Sequence, residues 1–454
     1  MSSSPDSTPL DPAVIESQLI ADLERLVAIP SIGALEQHQG DLATSAEVVA
    51  QMLRDLGCPE VNVIEDEAAP AVVGRYPAPA GAPTICLYAH HDVQPIGDRS
   101  LWKTDPLVAT RSGDRLFGRG VADDKGGIAV HFAALRALAD EDLPVGVTVF
   151  IEGEEEMGSP HVREFIRDHA DLLAADAYLV ADSGNWGVDE PAFTTTLRGV
   201  CDVTVEVATL DHAVHSGQFG GPVPDALTAL CRLLATLHHE DGSVAVAGLR
   251  TSVSYDVDYS SEQLRADAGM LDGVQELGSG SLAERLWSGP SATVIGLDAP
   301  SVEESSNTLI PSARARISLR VPPGMEADEA LDHLIAHCQN NAPWGSHVTV
   351  TPGGSGNPGQ LPVTGPFAQA AKAAYHEAFG ADPVLMGQGG AIPITGELLS
   401  AFPHSEVIAN AVCDPDSRMH APNESAHVGL LVRTVAAEVA FLRRAATAVS
   451  QSVN

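Results

Sequence analysis

Short apolar runs that lead into acidic or histidine residues constrain the fold of this chain more than any other feature of its sequence. The runs cover residues 84–88, 145–151 and 177–181, and they lead into His90, into the acidic segment 152–156 and into Asp182, respectively. Runs of this length are typical of strands buried on both faces, as in a parallel sheet. Because α/β proteins place ligand sites at the carboxyl ends of parallel strands, we expect these polar residues to meet at one edge of a sheet.

The predicted elements indicate an α/β domain that is interrupted by a second domain of different texture. We predict helices at 12–27 and 43–56, after Lys125, and from about 424 to 445. These helices alternate with the apolar strands, as in a largely parallel sheet with helices on both faces. Residues 200–207 and 313–321 instead alternate in polarity, and helices are predicted at 224–238 and 326–338. We therefore expect an α/β domain at 1–196 and 359–454 and an α+β insert with an antiparallel sheet at 197–358.

The charge and cysteine content limit the kinds of partner and compartment that suit this chain. Its 454 residues include 61 acidic and 25 basic ones, for a formal net charge of −36, which argues against nucleic acid or an anionic membrane as a partner because phosphate binding needs dense Lys and Arg. The six cysteines are scattered without a CxxC pair, as expected for reduced thiols of a cytosolic protein. We find no signal peptide and no apolar run long enough to span a membrane, so a cytoplasmic protein is expected.

Histidine and carboxylate side chains at the predicted sheet edge form a ligand set that suits zinc, manganese or cobalt. His90 and Asp92 are two residues apart, so at a strand end they share a face, and Asp92 is well placed to orient the imidazole of His90. A surface loop at a strand end is the alternative interpretation of this pair.

Two groups of adjacent carboxylates strengthen the hypothesis of a metal site. Asp123 and Asp124 repel each other unless a cation or hydrogen-bond donors stabilise them, so they suit a carboxylate that bridges two metals. An N-cap for the following helix is the alternative, and both interpretations can hold together. Within 154–156, one glutamate can bind metal while its neighbour stays free as a general base, although a solvated acidic turn would also fit. Asp182 and His420 are weak signals alone and gain weight from the order of the whole set.

Several motifs together resemble the M20 metallopeptidases, and most closely the dipeptidase branch that includes carnosinase-like cytosolic dipeptidases. The motifs are residues 88–95 (Tyr-Ala-His-His-Asp-Val-Gln-Pro), 118–126 (Gly-Arg-Gly-Val-Ala-Asp-Asp-Lys-Gly) and 152–159 (Glu-Gly-Glu-Glu-Glu-Met-Gly-Ser). Shorter matches at 102–106, 215–221 and 389–393 extend the resemblance to about residues 15–445.

The resemblance implies a binuclear metal site, usually with zinc, and assigns its ligands. His90, Asp123 and Asp182 would hold one metal ion, and Asp123, Glu156 and His420 the other. Glu155 matches the general base and Asp92 the residue that orients His90. In family members the peptide bond between the residues that match Asp123 and Asp124 is cis.

The resemblance also assigns residues to substrate binding and to a second subunit. The insert at 197–358 looks like the lid and dimerisation domain, which implies a homodimer in which His215 reaches the site of the partner subunit and stabilises the oxyanion. Arg320 matches an arginine that binds the substrate carboxylate, and Gly389 and Gly390 belong to a late substrate loop. Dipeptidases often carry Arg-Glu before these glycines, whereas this chain has Gly387 and Gln388.

The resulting prediction is a cytosolic, homodimeric, two-metal dipeptidase in which a water activated between the metal ions attacks the peptide bond, with Glu155 as general base. An amidohydrolase of the same family that acts on N-acyl amino acids is the enzymatic alternative, because only the substrate pocket would differ. A metal-binding protein without catalysis is the alternative from a different class, and the presence of Glu155 beside the full ligand set disfavours it.

Overall fold

The computed structural model describes residues 11–65, 69–250, 253–410 and 412–448. By their contacts, the described residues fall into two compact units, one within Met1–Thr195, Leu361–Met386 and Ile392–Asn454, and the other within Thr196–Gln360 and Gly387–Ala391. This division differs from the predicted domains at residues 387–391. These residues belong to the second unit, whereas the sequence analysis assigned them to the α/β domain. The roles of the two units as catalytic and lid domains stay predictions at this point.

The strands are numbered in chain order. They are β1 (Glu60–Ile64), β2 (Ala71–Tyr76), β3 (Thr84–His90), β4 (Thr110–Ser112), β5 (Arg115–Phe117), β6 (Gly146–Glu152), β7 (Ala177–Val180), β8 (Ala192–Leu197), β9 (Gly199–Ala208), β10 (Val214–His215), β11 (Ser291–Asp298), β12 (Thr308–Leu309), β13 (Ser312–Val321), β14 (His347–Gly356), β15 (Gly359–Gln360), β16 (Val384–Gln388), β17 (Glu406–Ala409) and β18 (Ser425–His427).

The α-helices are numbered in the same way. They are α1 (Pro12–Val27), α2 (Gln39–Asp55), α3 (Lys125–Ala137), α4 (Val162–Asp168), α5 (Ala170–Leu173), α6 (Ser216–Phe219), α7 (Ala226–Ala235), α8 (Ser261–Asp267), α9 (Leu282–Trp287), α10 (Ala327–Asn340), α11 (Pro366–Phe379), α12 (Pro393–Ala401) and α13 (Val428–Ala448). No helix within the described ranges is both long and apolar enough to cross a membrane.

The first unit is built on a sheet whose centre is parallel and whose edges are antiparallel. Its strands run in the order β1-β2-β6-β3-β7-β17-β8, and the pairs β6-β3, β3-β7 and β7-β17 are parallel. Every residue of β6 is buried, so helices and loops cover the sheet on both faces at this strand. These observations confirm the predicted fold class.

Amphipathic helices supply much of the core of the first unit. Ile15, Leu19, Leu23 and Leu26 form the predicted apolar stripe of α1 and are all buried, and α1 packs against α3 and α13. The carboxylate of Asp11 accepts a hydrogen bond from the backbone N–H of Ala13 and so caps the start of α1.

The second unit is an α+β structure, as the alternating segments predicted. Its four strands lie in the order β11-β13-β9-β14, and all three pairs are antiparallel. Alternate residues of β13 and β9 are buried, and α7 and α10 pack against these strands. One face of the sheet therefore forms the core of this unit with the two helices.

The last helix begins later than the sequence analysis predicted. Ser425–His427 forms β18 and pairs with β5, and α13 begins at Val428. The apolar stripe of α13 is the predicted one, but its hydrophobic pattern carries no information about the hydrogen bonds that hold the preceding residues in an extended conformation.

Candidate metal centre

Adjacent parallel strands deliver the predicted ligands to one edge of the central sheet. His90 is the last residue of β3 and pairs with Glu152, the last residue of β6, so the segment that carries Glu155 and Glu156 leaves the sheet beside His90. On the other side of β3, the parallel strand β7 ends two residues before Asp182. This is the meeting of strand ends that the apolar runs predicted.

Asp123 lies at the centre of the cluster, with each carboxylate oxygen close to a different histidine. Its Oδ1 lies 3.1 Å from Nε2 of His90, and its Oδ2 lies 3.0 Å from Nε2 of His420. The same nitrogen of His420 is 3.2 Å from Oε2 of Glu156. A carboxylate placed between two histidines in this way could bridge two metal ions.

Two groups of side chains present ligand atoms that could each hold one metal ion. The first group consists of His90, Asp123 and Asp182, and the second consists of Asp123, Glu156 and His420. Within each group all the ligand atoms lie within 4.8 Å of one another. Oδ2 of Asp182 is buried and has no hydrogen-bond partner among the described residues. A buried oxygen without a donor and a set of nitrogen and carboxylate ligands both suit a divalent cation such as zinc, manganese or cobalt.

The carboxylates of the cluster strongly perturb one another and the histidines. Burial, together with the charges of Asp123 and Asp124, raises the pKa of Asp182 well above its ordinary value. Burial alone would also raise the pKa of Asp123, but hydrogen bonds from His420 and His90 hold it below its usual range. Hydrogen bonds with Asp123 and Glu156 raise the pKa of His420 to about 10. So many interacting charges in one place are a mark of a functional site, and a divalent cation would relieve the repulsion.

Asp92 connects the two halves of the cluster. Nδ1 of His90, on the opposite side of the ring from Asp123, hydrogen-bonds with the backbone carbonyl of Asp92 at 3.1 Å and lies 3.3 Å from its Oδ1. Oδ2 of Asp92 accepts a hydrogen bond of 3.0 Å from the backbone N–H of Glu156. This is the arrangement expected of a residue that orients a ligating imidazole, and it also fixes the backbone of the second glutamate.

Both interpretations of the Asp123-Asp124 pair agree with the geometry. Asp124 caps α3, because its Oδ1 accepts a hydrogen bond from the backbone N–H of Gly127, while Asp123 faces the cluster. Oδ2 of Asp124 accepts a further hydrogen bond from the backbone N–H of His90. The peptide bond between the two aspartates is cis.

The predicted substrate residues lie in the second unit. His215 ends β10, is exposed, and accepts a hydrogen bond from the backbone N–H of Gly217. Arg320 lies near the end of β13, and burial lowers the pKa of its guanidinium. Gln388 ends β16, and its buried Oε1 has no hydrogen-bond partner among the described residues. The carbonyl of Gly389 accepts a hydrogen bond of 3.0 Å from Nε of Arg198, and Gly390 follows it in the same loop.

Two supporting residues escaped the sequence analysis. Gln94 donates hydrogen bonds from its backbone N–H and its side chain to the two carboxylate oxygens of Glu156, at 3.1 and 2.8 Å. Glu424 accepts hydrogen bonds from the backbone of the loop that carries Asp123. Gln94 could have been found, because it lies in the motif 88–95 that contains His90, whereas nothing in the sequence near Glu424 points to a loop 300 residues earlier.

Comparison with known proteins agrees with the geometry. The sequence profile described as "Peptidase family M20/M25/M40" matches residues 86–444. A cysteinylglycine-S-conjugate dipeptidase from Corynebacterium striatum is 33% identical over 94% of this chain and 95% of its own length. A Beta-Ala-His dipeptidase from Homo sapiens is 27% identical over 90% of this chain and 86% of its own length.

A solved structure shares the fold. The crystal structure of human carnosine dipeptidase 1 superposes with a TM-score of 0.82 at 24% identity and covers 96% of this chain and 97% of that one. The resemblance to the M20 dipeptidases that the sequence motifs indicated is thus confirmed. The chain belongs to peptidase family M20/M25/M40 and is a metallopeptidase.

Proposed function

We propose that this metallopeptidase is a dipeptidase whose reaction takes place at the cluster around Asp123. The observation that carries the proposal is the position of Asp123, whose two oxygens face His90 and His420. His90, Asp123 and Asp182 would hold one metal ion, and Asp123, Glu156 and His420 the other. The dipeptidase from Corynebacterium striatum, with 33% identity over nearly the whole chain, supports a dipeptide as substrate.

Glu155 is the proposed general base. Two divalent ions bound at the cluster would lower the pKa of a water molecule and polarise the scissile carbonyl. Glu155 takes the proton from the attacking water and delivers it to the amine of the leaving amino acid. Burial, and then the charge of Asp182, raises the pKa of Glu155 well above its ordinary value, which favours its holding a proton during the reaction.

The remaining site residues are proposed to hold the substrate. Arg320 would pair with the free carboxylate of a dipeptide, for which its planar guanidinium is suited. Gly389 and Gly390 would line the late substrate loop, and the unpaired amide oxygen of Gln388 would accept a hydrogen bond from the substrate amine. His215 of the partner subunit would stabilise the oxyanion that forms at the carbonyl.

A homodimer is part of the proposal, and an exposed strand edge supports it. β11 lies at the edge of the sheet in the second unit and exposes Val294, Ile295 and Leu297 by 42%, 57% and 52%, respectively. An exposed apolar edge strand offers unpaired backbone groups to a second chain. Sedimentation at several protein concentrations should find a dimer, and a monomer at all of them would contradict this part of the proposal.

A cytosolic location is also proposed, and the six free cysteines support it.

The deciding experiment is a panel of unblocked dipeptides and N-acyl amino acids, assayed with zinc, manganese and cobalt. We propose zinc as the native metal, so zinc should restore turnover after a chelator has abolished it. Faster cleavage of an N-acetyl amino acid than of any unblocked dipeptide would replace the dipeptidase by the amidohydrolase. Turnover that survives complete removal of metal would overturn the metal-dependent reaction altogether.

A further inference from the structure

Glu424 is a fully buried carboxylate whose hydrogen bonds converge on the loop that carries Asp123. Its Oε1 accepts hydrogen bonds from the backbone N–H groups of Gly120, Ala122 and Asp123, at 3.0, 3.0 and 3.1 Å. Its side chain has no solvent exposure, although it is charged in its ordinary ionised form. Burying a carboxylate is costly, so such a group needs several donors and a counter-charge.

Arg119 supplies that counter-charge. Its Nη1 donates a hydrogen bond of 2.6 Å to Oε2 of Glu424, and its Nη2 donates one to the carbonyl of Pro95. The guanidinium also lies over the ring of Trp102, with 5.4 Å between the central carbon and the ring centroid. The guanidinium is therefore held by these two hydrogen bonds and by the ring of Trp102, which restricts the movement of Glu424.

The contacts of Glu424 define where Asp123 can lie. The N–H of Asp123 is bound to Glu424, while its side chain reaches both His90 and His420. Glu424 also follows His420 by four residues, so one short segment carries a predicted ligand of the second metal and the anchor of the shared carboxylate.

We propose that Glu424 is a positioning residue that sets Asp123 between the two metal ions, a role that rests on the proposed binuclear site. Through Asp123 it acts on both metals at once, since Asp123 belongs to both ligand groups. Substitution of a residue that hydrogen-bonds a metal ligand lowers metal affinity by about 10- to 100-fold. A purely structural role would instead lower the stability of the protein and leave the affinity of the folded protein for metal unchanged.

The test is a calorimetric titration of the metal-free, full-length protein with Zn²⁺. Glu424→Gln keeps the size of the side chain but replaces one acceptor oxygen by an NH2 group and removes the charge that faces Arg119. We expect both zinc ions to bind at least about 10-fold more weakly than to the wild type. Glu424→Asp keeps the charge but withdraws the carboxylate by one methylene. It should fold more readily than Glu424→Gln and also bind both ions more weakly than the wild type.

Glu438→Gln is the matched control. Glu438 is also a buried glutamate, only 1% exposed, and it pairs with a buried histidine, His131, at 2.8 Å. Glu438→Gln should lower the melting temperature, as the Glu424 variants should, while both zinc affinities remain those of the wild type.

The outcomes separate this inference from the proposed function. If the wild type binds two zinc ions and both Glu424 variants bind them with unchanged affinity, the positioning role is overturned and the proposed function stands. If both Glu424 variants stay unfolded at every zinc concentration while Glu438→Gln folds, Glu424 is a folding determinant and the role is likewise overturned. If the wild type itself binds fewer than two ions, the binuclear site fails and the role of Glu424 fails with it.

Discussion

Glu155 and Glu156 are neighbours in sequence, yet their surroundings differ. The carboxylate of Glu156 is held by two hydrogen bonds from Gln94 and faces His420. The carboxylate of Glu155 has no hydrogen-bond donor among the described residues, and burial raises its pKa. This contrast supports the proposal that Glu155 is the general base and Glu156 a metal ligand.

We expect this contrast to separate the two glutamine variants. Glu155→Gln should lower kcat by at least about 100-fold with a near-normal metal content, as for the loss of a general base. Glu156→Gln should instead lower the metal content, because a ligand is lost. Elemental analysis of both dialysed variants, alongside their kinetics, makes the comparison, and equal metal loss in the two would refute the assignment.

Gln388 is the residue at which we expect substrate preference to be changed most simply. Within the described part of the chain its buried amide oxygen has no hydrogen-bond donor, and a glutamate there would offer a charged acceptor to the ammonium of a dipeptide. Hydrogen bonds to charged groups exceed neutral ones by about 1 kcal/mol, so Gln388→Glu should raise kcat/KM for free-amine dipeptides by about 5-fold. N-acetylated analogues are the control and should be cleaved no better than by the wild type.

At the scale of elements, the predictions that held are those that depend on local burial. The apolar runs at 84–88 and 145–151 became β3 and β6 with bounds shifted by one or two residues, and the ligands at their ends meet. The start of α13 was wrong because residues 424–427 are held by β5 and by the Asp123 loop, about 300 residues earlier. Hydrogen bonds between such distant segments leave no periodic signal in the sequence, and the supporting role of Glu424 was missed for that reason.

The contact between α3 and α13 contains a buried ion pair that should make stability depend on pH. Burial alone would lower the pKa of His131, but the charge and the hydrogen bond of Glu438 raise it above its ordinary value. The stabilisation by this pair is thus fully present below the unfolded-state pKa of about 6.5 and is lost as the pH rises through the folded-state pKa.

We therefore expect His131→Gln to be destabilised most at low pH. At pH 6 the variant should lose about 3 kcal/mol of unfolding free energy, because the Glu438 carboxylate is left without its partner. The difference from the wild type should shrink as the pH is raised, which urea unfolding at a series of pH values can measure. A difference that is constant or grows with pH would contradict the raised pKa of His131.

At the scale of the whole molecule, the proposed reaction needs two subunits. His215 lies in the second unit and the predicted metal ligands lie in the first. If His215 acts on the partner subunit, mixing inactive His215→Ala with inactive Glu155→Gln should restore activity, since one site of each hybrid has both wild-type residues. Subunit exchange is followed by mass spectrometry of differently labelled chains, and exchange without recovery would count against action between subunits.

The loop that brings His420 and Glu424 to Asp123 also imposes an order in time. Chains are synthesised at about 5–20 residues per second, so the 238 residues that follow Asp182, up to and including His420, take roughly 12 to 48 s to appear. During that interval His90, Asp123 and Asp182 already exist, whereas Asp123 lacks the anchor that fixes its backbone. A growing chain would therefore lack the complete proposed metal site until the segment that carries His420 and Glu424 has been synthesised.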